Sequence, residues 1–141
     1  MFVLDTCALS EAMSAHRNEG FTQWLAAQPP DKLATTVTSV AEISHGIMRL
    51  TAGKRRDGLH QAAETLFRRL HVHEQDRPCA WLAGTMIALE EKRGRTLKFA
   101  DATIAAITLH NGGQLVTRDA DFDGLATHEQ FQGFLIVNPW T

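Results

Sequence analysis

Phe2-Val3-Leu4-Asp5 opens the chain with three apolar residues stopped by a carboxylate, the pattern of a short buried strand that ends in a polar residue. Helical and strand-like stretches alternate after it. From Ala8 to about Ala27 the pattern is helical, interrupted near Gly20, with Trp24 and Leu25 supplying core material and Pro29-Pro30-Asp31 closing it. A second strand is expected at Leu33 to Val37. Ser39-Val-Ala-Glu42 then has the spacing of a capping box, and Val40, Ile43, Ile47 and Leu50 recur at helical intervals. The next helix is therefore expected to begin at the turn that carries Glu42.

Gly53-Lys-Arg-Arg-Asp-Gly58 reads as a turn-rich basic loop, followed by a helix whose inner face is Leu59, Ala62, Ala63, Leu66, Phe67 and Leu70. Val72 and its neighbours suit a short strand. Asp76 and Pro78 mark a helix start, with Trp81, Leu82, Ile87 and Ala88 as its apolar material up to Arg93-Gly94. A further helix is expected from about Asp101 to His110, stopped by Asn111-Gly112-Gly113. Leu115-Val116-Thr117 is a strand, Asp119 to Asp123 an acidic loop, and Phe134 to Val137 a last strand. This alternation predicts an α/β sandwich with a mainly parallel sheet.

The 141 residues fit a single domain, taken as 1–141, with no repeat, linker or low-complexity tract. With 44% hydrophobic and 21% charged residues the composition excludes disordered and collagen-like classes. A net charge of -2 means that a nucleic-acid partner has to be held by a local basic patch. Cys7 and Cys79 form no Cys-x-x-Cys pair, so neither a disulfide framework nor a thiolate zinc site is suggested, and both fit a reducing cytoplasm. No cationic leader precedes the first strand and no apolar run approaches the length of a bilayer span, so no membrane association is expected.

In parallel sheets ligands gather at the carboxyl ends of the strands. Asp5 and Asp119 fall at two such ends, Glu42 lies just past a third, and Asp101 opens a helix. Converging carboxylates repel one another unless a hard divalent cation neutralises them, and all-oxygen ligands suit magnesium or manganese. A site of that kind can activate water and stabilise the charge on a phosphodiester in flight. Each acid also has a plainer role. Glu42 reads as the third residue of the capping box, Asp101 as a complement to a helix dipole, and Asp119 and Asp121 as turn formers. Asp5 resists such a role, because an acid directly after a buried strand is costly without a partner.

Four segments taken together decide between these readings. Val-Leu-Asp5-Thr6, Thr38-Ser39-Val-Ala-Glu42-Ile-Ser-His-Gly46-Ile, Asp101-Ala-Thr-Ile-Ala-Ala and Leu115-Val-Thr117-Arg-Asp119-Ala-Asp121-Phe122 resemble the PIN-domain family, in particular the VapC-like and plasmid-stability toxins of bacterial type II toxin–antitoxin pairs. The resemblance runs from Phe2 to Val137-Asn-Pro-Trp140. It implies a three-layer α/β/α sandwich and a Mg²⁺-dependent endoribonuclease, with Mn²⁺ as a possible substitute. Asp5, Glu42, Asp101 and Asp119 are carried over as the catalytic acids, and Asp5, Asp101, Asp119 and Asp121 as metal ligands. Thr6 and Thr117 match positions whose hydroxyls support the acids. A cognate VapB-like antitoxin that inserts a tail into the groove, and a homodimeric toxin, are also implied. Cys7 stands where the family usually has Asn or another polar residue, and Lys98-Phe-Ala100 replaces small or aliphatic residues ahead of Asp101.

Among the basic residues, Arg93, Arg95 and Lys98 are the preferred RNA contacts because they approach Asp101 in sequence, although charge runs are more often solvated surface. The histidines contain no His-x-x-x-His pair and lend zinc little support. Trp24, Trp81 and Trp140 are expected in the core or at an interface. Two other classes compete: a catalytically silent PIN-like interaction module, and another Mg²⁺-dependent phosphoryl-transfer protein. A phosphatase of the haloacid-dehalogenase type wants a second aspartate where Cys7 stands, and a receiver domain wants adjacent acids and a late lysine that are not in place.

Overall fold

A computed structural model of the chain describes residues 1–140. Five short strands, β1 (Phe2–Leu4), β2 (Leu33–Thr36), β3 (His71–His73), β4 (Gln114–Val116) and β5 (Leu135–Val137), form one sheet in the order β3-β2-β1-β4-β5. Every neighbouring pair is parallel. Seven helices cover it: α1 (Thr6–Met13), α2 (Glu19–Ala27), α3 (Val37–Met48), α4 (Lys54–Arg68), α5 (Arg77–Lys92), α6 (Phe99–His110) and α7 (Asp123–Ala126). Among the described residues no helix is long and apolar enough to cross a membrane.

Successive strand residues face opposite layers, as the period of a strand requires. Val3 and Leu115 pack with Ala83, Met86, Ile104, Phe122 and Phe134 on one side. Leu4 and Val116 pack with Leu9, Phe21, Ile43, Ile47 and Ala63 on the other. The result is the three-layer α/β/α sandwich. Because both faces are covered, β1 is apolar throughout, and the buried Thr35 of β2 is satisfied by donating to the Leu4 carbonyl at 2.7 Å.

The elements differ from the sequence expectation at several boundaries. The first helical stretch is two helices, broken at 14–18 and not at Gly20, because Asn18 accepts the Phe21 backbone N–H at 3.0 Å and restarts the chain as α2. Gly20 lies inside that helix. α3 begins at Val37, with Thr36 as its N-cap accepting the Ser39 N–H at 3.1 Å. Ser39 is thus a buried residue within the helix, and the expected capping box is absent. The basic segment at 54–58 is the start of α4, since Lys and Arg are strong helix formers and one Gly costs only about 1 kcal/mol. α6 starts at Phe99, two residues before Asp101. Trp81 is 81% exposed on α5 and takes no part in the core, whereas Trp24 and Trp140 pack around Phe21.

Candidate active site

The parallel order places the carboxyl ends of β1, β2 and β4 side by side, and the candidate acids follow from them. Asp5 leaves β1 as the N-cap of α1, its Oδ1 accepting the Ala8 N–H at 2.8 Å. It is only 3% exposed. Burial pushes its pKa up to about 6, against hydrogen bonds from Thr117 and Ala8, and the charges of Asp119 and Glu42 raise it further.

Glu42 sits one turn into α3, half-buried, and accepts the Thr6 hydroxyl at 2.6 Å. The Thr6 hydroxyl also lies 3.2 Å from Ser39 Oγ. Its single proton goes to the nearer, charged acceptor. With no capping box formed, Glu42 is left with this contact across 36 positions and no local role at a helix start.

Asp101 lies in the first turn of α6, yet its pKa is raised to about 6 by burial and then by Asp119, Glu42 and Asp121, with Lys98 opposing. An acid serving the helix dipole alone would be held in its charged form. Burial and the neighbouring acids therefore outweigh the dipole here.

Beyond β4, Thr117 is buried and joins two of the acids. Its Oγ1 accepts the Asp119 N–H at 2.9 Å and its hydroxyl bonds to Asp5. The expected acidic loop is a 3-10 turn, Ala120–Phe122, running into α7. Asp119 caps that turn by accepting the Asp121 N–H at 2.9 Å. The chain is therefore folded back after Thr117. Even so, oxygens of Asp101, Asp119 and Asp121 come within 4.8 Å of one another.

That trio offers hard oxygen donors to one divalent ion and fits magnesium in ligand chemistry. Asp5 is not one of these three; its carboxylate accepts from Ala8 and Thr117, and its charge is coupled to those of Asp119 and Glu42. Cys7 lies beside the cluster: although the residue as a whole is exposed, burial of its sulphur and the charges of Asp5 and Asp119 push the thiol up to about 11. It is a neutral neighbour and no nucleophile.

An open groove of about 690 Å³ runs from Thr6 and Glu42 past Thr38, Phe99 and Thr103. Phe99 stands 71% exposed on its rim. Of the cations singled out in the sequence, Lys98 lies nearest in effect, since its charge acts on Asp101. Arg95 is exposed. Arg93 donates to Glu90 Oε1 at 3.1 Å and to the Gly124 carbonyl at 3.0 Å, which ties α5 to α7. Three groups in this region escape sequence reasoning. Ser39 is buried between Thr6 and Thr36. Thr38 and Thr103 bond at 2.9 Å across 65 positions. Arg118 lies over the Trp140 ring at 5.4 Å and favours ionisation of Cys7. Thr38, Ser39 and Arg118 stand within or beside the acidic segments in the sequence, but the sequence does not pair them with their partners.

Comparison with known proteins gives a consistent picture. The PIN domain family matches residues 2–127. The plasmid stability protein StbB of Pseudomonas syringae pv. tomato is 31% identical, with 99% of each chain covered. The VapC ribonuclease Y4jK of Sinorhizobium fredii is 28% identical over 99% of this chain and 98% of its own. Among solved structures, FitAcB from Neisseria gonorrhoeae superposes with a TM-score of 0.81 at 27% identity, covering 99% of each chain. A toxin–antitoxin complex from Klebsiella pneumoniae shares the fold at 21% identity and a TM-score of 0.71, covering 99% of this chain and 98% of that one.

Proposed function

The chain belongs to the PIN-domain family, and from that premise we propose that it is a metal-dependent endoribonuclease, the toxin of a type II toxin–antitoxin pair. The observation that carries this reading is the meeting of Asp101, Asp119 and Asp121 within 4.8 Å, flanked by Asp5 and Glu42. Acids gathered this closely are costly in a metal-free protein, and burial already forces Asp5 and Asp101 to hold protons up to about pH 6. A cation that binds N and not U supplies the compensating stability.

Asp101, Asp119 and Asp121 are assigned to hold Mg²⁺, with Asp5 close enough to share its field and Mn²⁺ able to replace it. Bound there, the ion would supply a Lewis acid for the phosphodiester and lower the pKa of an attacking water. The remaining work falls to the chain. Thr6 holds one oxygen of Glu42, which leaves the other directed to orienting a water in the groove. Thr117 keeps Asp5 and the backbone of Asp119 in register with the sheet. Lys98, whose charge acts on Asp101, is assigned to the RNA backbone together with exposed Arg95, whereas Arg93 is engaged by Glu90 and the Gly124 carbonyl.

A relative named a ribonuclease, covered end to end, supports RNA as the substrate. The VapB-like antitoxin and the homodimer follow from the resemblance of the four acidic segments to VapC-like toxins, and the cytoplasmic location from the two unpaired cysteines. The direct test is to incubate the purified protein with a mixed RNA pool with and without Mg²⁺ and to map the cleaved ends. Cleavage that depends on the metal and vanishes in Asp101→Asn is expected. Intact RNA at full metal occupancy would favour the catalytically silent interaction module.

A further inference from the structure

A second group of ligand-bearing side chains lies away from the acids. Asp76, Cys79 and His110 bring a carboxylate oxygen, a sulphur and an imidazole nitrogen within 4.8 Å of one another. Asp76 is the N-cap of α5, and its Oδ1 accepts the Cys79 backbone N–H at 2.9 Å, which fixes the carboxylate. The Cys79 thiol also bonds to that carboxylate, and the residue is 1% exposed. His110 ends α6, with Nε2 at 3.5 Å from Asp76 Oδ2. Asp101 sits near the other end of the same helix, about 13 Å away along its axis at about 1.5 Å per residue. The trio is thus separate from the acidic cluster.

A helix cap, a thiol bond to the same carboxylate and a histidine ion pair each describe one side of this arrangement. The convergence of all three ligand atoms within 4.8 Å is what goes beyond them. A charge-assisted N–H···O bond closes to about 2.7–2.9 Å, whereas 3.5 Å is near the edge of about 3.3 Å expected between N and O ligands each about 2.0–2.1 Å from a tetrahedral ion. A donor set of one thiolate, one imidazole and one carboxylate selects a borderline cation over magnesium or calcium. We propose that Asp76, Cys79 and His110 form a Zn²⁺ site, with water as fourth ligand, that ties the start of α5 to the end of α6.

Burial keeps the Cys79 thiol protonated in the metal-free protein, so binding releases that proton to solvent and weakens in acid. The ligands come from two helices, 31 positions apart in the numbering from Cys79 to His110, which is why no zinc spacing appears in the sequence. Since α6 also carries Asp101, the ion would stiffen the element that presents an acid to the groove.

The test uses the metal-stripped 141-residue chain, titrated with Co²⁺ and then with Zn²⁺ in competition. One equivalent of Co²⁺ is expected to give thiolate-to-cobalt charge-transfer absorption that Zn²⁺ abolishes. The band should be absent in Cys79→Ser and retained in Cys7→Ser, whose sulphur lies beside the acidic cluster. His110→Gln, at an exposed helix end, should weaken Zn²⁺ binding at least tenfold while leaving the metal-free Tm in place. Asp76→Asn keeps the cap, because Asn is as good an N-cap as Asp, and should also weaken binding at least tenfold. No thiolate band in the wild type, a band that survives Cys79→Ser, or Zn²⁺ affinity unchanged in His110→Gln would each overturn the proposal.

Discussion

The hydroxyl of Thr6, on the first turn of α1, lies 2.6 Å from a carboxylate oxygen of Glu42, on α3. This bond ties the helix that follows β1 to the helix that follows β2, and it restrains a carboxylate that lines the groove. Removing the hydroxyl frees Glu42 to turn. Thr6→Val, nearly the same in volume, is expected to lower the cleavage rate at least tenfold, about 1.4 kcal/mol in barrier. Its stability should fall by only about 1 kcal/mol. Thr6→Ser, which keeps the donor, should recover most of the rate in single-turnover assays on one RNA; equal rates for all three proteins would remove Glu42 positioning from the mechanism.

Asp5→Asn should abolish cleavage and still yield a folded protein. The amide retains an oxygen for the Ala8 N–H, so the cap on α1 survives. It also removes a buried charge from beside Asp119 and Glu42. A metal-free Tm equal to or above wild type is expected, while Asp5→Ala should lose about 1 kcal/mol with the cap. Thermal unfolding of both variants in chelator separates the two effects.

Stability should fall with rising pH in the absence of metal. Asp5 and Asp101 titrate at about 6 in the folded protein, above their ordinary value of 3.8. The folded state therefore binds more protons through that window, and each unit of rising pH favours the unfolded chain. For Asp5 the loss between about pH 4 and pH 6 is at most about 3 kcal/mol; half-buried Asp101 adds less because solvent screens it. Tm in EDTA should be higher near pH 5 than near pH 7.5, Mg²⁺ should raise it mainly at the higher pH, and Asp5→Asn should flatten the profile. A wild-type Tm that climbs over this range in EDTA would contradict the account.

Asp119 and Asp121 are not equivalent. Asp119 is half-buried and anchored through Thr117, whereas Asp121 is exposed in the 3-10 turn that Asp119 caps. The better-fixed ligand controls geometry, and small displacements cost large factors in rate. Asp119→Asn should therefore cost at least tenfold more activity than Asp121→Asn, about 1.4 kcal/mol. Steady-state cleavage at saturating Mg²⁺ measures this, and the reverse order would transfer the role to Asp121.

Gly124 has a purely structural test. A Cβ there would collide with the buried carboxylate of Glu90 and lie 3.0 Å from the Arg95 side chain. Glu90 is 2% exposed and held by Arg93, so it has little room to yield. Gly124→Ala should destabilise the protein by about 1–3 kcal/mol through overpacking. Urea unfolding reads the change directly, and a shift below about 0.5 kcal/mol would mean that α5 and α7 separate easily.

Local pattern was enough to place the strands to within a residue at each end, because short apolar or β-branched stretches between turn and helix signals leave little choice of period. Asp5 and the strand ends before Glu42 and Asp119 were legible for that reason, as was the α5 start at Asp76 and Pro78. Helix starts were less so. Thr36 and Ser39 are both good caps, and only the packing of α3 on the sheet decided that Thr36 takes the role and Ser39 is buried. The same holds for Asn18 against Gly20, where the side-chain bond to Phe21 determined the break. Trp81 lies outside the core, because helical period alone does not say which face meets the sheet.

The acids themselves were individually visible, and their resemblance to a known set of segments suggested that they belong together. Their meeting, however, rests on the strand order β3-β2-β1-β4-β5, which puts β1 between β2 and β4 and so gathers three strand ends along one edge of the sheet, where the α6 N-terminus also brings Asp101. The sequence by itself determined the strands, the helices and the presence of acids at their ends, since those depend on neighbours a few residues away. The Thr6–Glu42 bond, the Asp101–Asp119–Asp121 trio and the Asp76–Cys79–His110 group were decided only by the tertiary structure, because each joins side chains whose separation in space is set by layer packing and not by their separation along the chain.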